Sequence, residues 1–129
     1  ALAGLVSITA EPLAPSPMLA IGIGAVGSII MYFGTSWLNS MRLDDVVGAI
    51  PVHLFAGVWG TLAVTLINRC TSLTTQLLVL LSVTIFTFIF SYIVFFVLKQ
   101  FIGLRISDEA EKLGTDVAEI GVRAYAIRD

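Results

Sequence analysis

Three stretches of the chain, Met18–Leu38, Val46–Ile67 and Leu73–Leu98, contain no Asp, Glu, Lys or Arg. Each is about as long as an α-helix must be to cross a bilayer, roughly 20 predominantly apolar residues. Composition agrees: 12% of the residues are charged, against about 25% in soluble domains. Mean hydropathy is +0.98. The expected fold class is an all-α integral membrane protein, a multi-helix transmembrane bundle followed by a short polar tail from Arg105.

Several function classes fall away. A net charge of −2 offers no basic surface for nucleic acid. One His and one Cys cannot close a metal site, and no nucleophile–base–acid set is visible. Neither an enzyme nor a cofactor is therefore expected. Cys70 has no second cysteine to pair with. Ala1–Ala10 is apolar from its first residue and has no basic start, so it does not read as a signal peptide. It is expected to be the end of a longer hydrophobic helix, and the chain a C-terminal fragment.

Pro12, Pro15 and Pro17 make a loop of the next segment, with Ser16 placed to cap a helix and Pro17 at its first position. Gly22-Ile-Gly24-Ala-Val-Gly27 matches a dinucleotide fingerprint, but no strand precedes it. Close helix packing through Ala20, Gly24 and Ser28 is the better reading. Tyr32 and Trp37 suit a membrane interface.

The second span carries His53, the only histidine. An ionisable side chain inside a span is costly and marks a functional site by default. At 3.6 residues per turn, Ala49, Ala56, Gly57, Gly60 and Val64 share its face, while Pro51, Phe55, Val58 and Leu62 lie opposite. His53 is thus expected on a small-residue face that another helix, or a narrow lumen, approaches. Pro51 removes a backbone donor and predicts irregular backbone there. Asp44 and Asp45 stand at the mouth of the span, as helix caps or as groups drawing cations. In the tail, Ser107 predicts a cap and Gly114 a stop. Asp116-Val-Ala-Glu119 has the form of a capping box opening a second short helix.

Arg42-Leu-Asp-Asp, Gly48-Ala-Ile-Pro-Val-His53 and Ala56-Gly-Val-Trp-Gly-Thr-Leu-Ala63 together resemble the signature of the ammonium transporter (Amt/Mep/Rh) family. The resembled segment carries the second of that family's paired pore histidines. The chain departs from it at Val46, where proline is common, and at Leu54, where glycine is common. Gly114-Thr-Asp116-Val-Ala-Glu-Ile-Gly121-Val-Arg-Ala124-Tyr125 is similar to the family's C-terminal motif, with Ile120 at the usual histidine and Arg123 at a commonly acidic or small position.

The resemblance implies the last transmembrane helices of an eleven-helix transporter. Residues 1–104 would belong to the transporter domain, incomplete at its N-terminus, and 105–129 would form a cytosolic regulatory tail. Ammonium would be deprotonated near the outer vestibule, and ammonia would cross an apolar pore lined by His53 and Ala49. Desolvation there disfavours charge, and a neutral imidazole both donates and accepts a hydrogen bond. The tail residues Gly114, Asp116, Gly121 and Tyr125 would pack on the cytosolic face, against a neighbouring subunit of a homotrimer, within reach of a PII-type regulator. Lys99, Arg105, Lys112 and Arg42 against Arg69 place the C-terminus in the cytoplasm, and the resemblance implies the plasma (inner) membrane. An ammonium sensor on the same scaffold is the alternative. A structural segment in which His53 only bonds another helix is a second.

Overall fold

The computed structural model describes residues 1–13 and 16–124. These residues form helices and turns, with no strand among them. Three helices are long and apolar enough to cross a membrane: Pro17–Ser40, Ile50–Ile67 and Leu73–Phe101. The chain divides into two compact units, one spanning Ala1–Phe86 and one beginning at Thr87.

In the first unit, α1 covers Leu2–Ile8 and α2 covers Pro17–Ser40. α2 starts where its sequence predicts: the Ser16 hydroxyl accepts the Leu19 N–H at 3.3 Å, with Pro17 at the first position. It stops at Arg42, which takes the left-handed conformation (φ 57°), while the Leu43 N–H donates back to the Leu38 carbonyl. The second span starts later than Val46. Val46 and Val47 are exposed in a turn, and a π-helical turn, Ile50–Phe55, leads straight into α3, Ala56–Ile67. The delay has a cause in Asp45. Its carboxylate accepts the N–H groups of Ala49 and Ile50, both at 2.8 Å, and so marks the first free donors of the helix.

The core of this unit is a crossing of small residues. α1 lies against both α2 and α3. A side chain on Gly27 would overlap the Ser7 hydroxyl, and one on Gly60 would overlap the Ser7 backbone, coming within 2.8 Å of its Cα. Gly4 and Gly24 face each other less tightly: a Cβ on Gly4 would lie 3.2 Å from the Gly24 carbonyl oxygen, and one on Gly24 3.3 Å from that of Gly4. The Gly24–Ser28 stripe of α2 is thus a packing face, and the dinucleotide match has no strand before it. Ser7 is 2% exposed. Its hydroxyl is shared between the Ala3 carbonyl at 2.8 Å and the Ala56 carbonyl at 3.1 Å. Trp59 Nε1 donates to the Ile23 carbonyl at 3.0 Å and ties α3 to α2. Small residues that let backbones meet, with polar groups bonded across helices, are what apolar surroundings favour.

α4 covers Leu73–Phe101 and buries none of its residues. A helix apolar on every side suits lipid or the interior of a larger bundle. It ends short of Leu104: Gly103 takes φ 80°, and its N–H donates to the Leu98 carbonyl. Within the second unit Phe88, Tyr92 and Phe96 stack one turn apart, with ring centroids 6.4 Å apart at each step. Beyond α4, Ser107 caps α5, Asp108–Leu113, by accepting the Ala110 N–H. Gly114 (φ 95°) ends α5, and a second π turn covers Asp116–Ile120.

Candidate functional site: the π turn that carries His53

His53 sits in the middle of the Ile50–Phe55 turn and is exposed. The small-residue face expected around it is divided: Ala56, Gly60 and Val64 are buried, Gly57 is half-buried, and Ala49 and His53 are exposed. The packed residues are Pro51 and Val52, then Ala56, Gly60, Ala63 and Val64. Pro51 and Phe55, expected on the far side, are the ones held against α2: a Cβ on Gly34 would overlap the Phe55 ring and come within 3.4 Å of the Pro51 Cβ. α1 packs Ala3 against Val52 and Ala56 and brings Ser7 to Gly60, and the π turn, which advances each residue through a smaller angle than an α-turn, places Pro51 and Phe55 against α2. The small face of α3 is used by α1, and His53, earlier on the span, is exposed.

Each end of the turn is pinned. At the start, Asp45 binds the Ala49 and Ile50 N–H groups. Pro51 has no N–H to give, and the Val52 N–H donates to the Gly48 carbonyl at 3.1 Å. At the end, the Ala56 N–H reaches the Pro51 carbonyl, and the Ala56 carbonyl accepts from Ser7. The Phe55 ring also lies 6.0 Å from the Trp37 ring. Ala49, like His53, is exposed, and so is Asp44. The structure therefore brings Asp45, Ala49 and His53 onto one short segment. The Asp45 carboxylate is occupied by the helix start, which leaves Asp44 as the open acid at this mouth. Ser7 and Gly34 did not stand out in the sequence, because each acts through a helix distant along the chain.

In the second unit the described tail residues Gly114, Asp116 and Gly121 close on one another. Asp116 lies inside the second π turn rather than capping it, so the capping-box reading is corrected: Thr115 holds the cap position and makes no side-chain cap bond. Asp116 instead accepts the Ala124 N–H at 2.8 Å, eight residues on. Gly121 takes the left-handed conformation (φ 76°) between them, and its N–H returns to the Asp116 and Val117 carbonyls. A side chain on Gly114 would meet the Asp116 carboxylate at 2.6 Å. Arg105 pairs with Glu111 at 2.9 Å, both exposed, a contact of small worth in water. Tyr125 lies outside the described residues.

The Ala124 and Val117 N–H groups, with Arg123 nearby, hold the Asp116 carboxyl below its ordinary value of 3.8. A depressed carboxyl contributes stability above its unfolded value and loses it as pH falls through the folded one. The loop of residues 116–124 is thus expected to keep its order from neutral pH down to the ordinary carboxylate range and to lose it only below. Asp116→Ala is expected to speed amide exchange of Ala124 severalfold at neutral pH. Hydrogen-exchange mass spectrometry of the tail checks this, and unchanged exchange would count against the wrap.

The sequence model of the Ammonium Transporter Family matches residues 1–125. The chain is 37% identical over 145 aligned residues to the ammonium transporter Amt2 of Archaeoglobus fulgidus, an alignment covering 97% of this chain and 31% of that protein. A putative ammonium transporter of Synechocystis is 38% identical, with 93% of this chain and 28% of the relative covered. The ammonium transporter of Corynebacterium glutamicum is 31% identical, with 96% and 31% covered. The chain spans less than a third of the length of these relatives. A match along nearly all of its residues, and an all-helical structure with three membrane-length apolar helices, place it: the chain belongs to the ammonium transporter family.

Proposed function

We propose that these residues serve ammonium transport as the corresponding part of a longer membrane protein, with His53 lining the path taken by ammonia. The observation that carries this reading is where His53 stands, in a π turn that leads straight into an apolar span. It is the one His, Asp, Glu, Lys or Arg in α2, the π turn and α3, and the buried residues of the turn are Pro51 and Val52. π turns within helices occur frequently at functional sites, and an imidazole in an apolar span needs a polar guest or a water path. Ala49, on the same segment, keeps the wall beside it small. Asp44 draws cations to this mouth, and Asp45 fixes the start of the helix.

The same reading takes the protein as a homotrimer in the plasma (inner) membrane, residues 105–129 on the cytoplasmic side. The fold of residues 114–124 then docks against a neighbouring subunit and answers to a PII-type regulator. Uptake of labelled methylammonium by cells that lack their own ammonium transport, expressing the full-length protein, tests the function. Accumulation above the empty-vector control supports it, whereas membrane insertion without accumulation favours an ammonium sensor on the same scaffold. Residues 1–129 alone, reconstituted in liposomes, are expected to give no ammonium-driven change in internal pH. In this chain His53 is uncovered and α4 has no buried face. A clear signal would mean that the chain builds a whole path unaided.

A further inference from the structure

We propose that Phe55, seated at Gly34, is a positioning residue for His53: the notch in α2 holds the π turn open, and the turn sets the direction of the imidazole. The inference rests on the reading of His53 as a pore residue, and its test separates the two.

Phe55 is the last residue of the turn and His53 lies two positions before it, on the opposite side of the helix. Gly34 is buried, and a Cβ there would overlap Phe55 Cδ2 and lie 2.9 Å from Cε2. The ring therefore fills the space a side chain would occupy, with Trp37 closing one flank at 6.0 Å. Pro51, fully buried, packs at the same notch one turn earlier. Both anchors of the packed side thus meet one glycine. A π turn carries an extra residue relative to an α-turn and persists only where its surroundings hold it. If the ring is pushed out of the notch, the turn loses its anchor, and any relaxation toward α geometry rotates His53 relative to α3. Catalytic and transport groups tolerate displacements of only about 0.5 Å, so a rotation of this kind reads out at the imidazole.

The test uses the full-length protein with Gly34→Ala, Phe55→Leu and the double variant, in which the shorter side chain makes room for the added methyl. Two readouts are taken on equal amounts of membrane-inserted protein. The first is ammonium flux per molecule and its pH profile. The second is the rate at which diethylpyrocarbonate modifies His53, read by mass spectrometry, which does not depend on transport. Gly34→Ala is expected to lower flux about tenfold or more and to change the His53 modification rate severalfold. The double variant is expected to recover at least part of both. If Gly34→Ala alters stability alone, leaving flux per molecule, pH profile and modification rate at wild-type values, the positioning role is overturned. If the wild-type protein carries no ammonium but Gly34→Ala still changes the modification rate and the double variant restores it, the positioning stands and the pore reading falls.

Discussion

Gly60→Ala is expected to unseat α1 and to cost the protein most of its folded yield, although the change is a single methyl on a residue within α3. The added Cβ would overlap the Ser7 carbonyl and stand 2.8 Å from the Ser7 Cα. Backbone cannot rotate out of the way as a side-chain tip can. The helices must part, at about 1–3 kcal/mol for overpacking alone. Separation also breaks the bond from the Ser7 hydroxyl to the Ala56 carbonyl. Transmembrane hydrogen bonds of this kind are worth about 0.6 kcal/mol on average. Gly57→Ala is the control on the same helix. Its Cβ would meet only Val6 Cγ1, at an ordinary 3.7 Å, so the change is expected to be neutral or to stabilise by up to about 1 kcal/mol through helix propensity. Thermal unfolding of the full-length protein in detergent, with membrane abundance, compares the two. Equal melting temperatures for the two variants would mean that α1 does not cross α3 at Gly60.

Much of the fold is local and therefore legible in the sequence. Ser16 before Pro17, Ser107 before Asp108, and Gly114 after Leu113 are capping chemistry that needs no distant partner. The three spans follow from hydropathy. The family resemblance rests on the residues from Arg42 to Ala63 and from Gly114 to Tyr125, and the match over residues 1–125 extends it to nearly the whole chain. What escaped was the face that each span presents. The pairing of Ser7 with Gly60, and of Gly34 with Phe55, joins residues far apart in sequence, and small residues alone do not say which helix approaches them. A constant α-helical phase puts His53 with Gly60 and Val64, on a face open to a helix or a lumen; in the structure those two are buried against other helices and His53 is exposed. The missing proline N–H did signal irregular backbone, but not that the irregularity would be a π turn. Asp116 was misread for a similar reason. Its spacing to Glu119 has the form of a capping box, yet the left-handed Gly121 folds the chain back and brings the Ala124 N–H to the same carboxylate.

His53→Ala is expected to abolish ammonium conduction, or to strip it of its selectivity, while leaving insertion and melting temperature close to wild type. The side chain is not part of the core of the first unit. An unchanged melting temperature then assigns the loss of transport to the imidazole and not to the fold. A neutral imidazole offers one donor and one acceptor to a small neutral guest. Alanine offers neither and leaves a wider, purely apolar passage. The deciding measurement places full-length wild-type protein and His53→Ala in separate liposomes at equal density, imposes an ammonium gradient, and records internal pH and membrane current, with potassium as the competing ion. The account predicts a robust ammonium response that excludes potassium in the wild type, and in His53→Ala either no response or one that no longer discriminates. A His53→Ala protein that carries ammonium at the wild-type rate and still excludes potassium would contradict it.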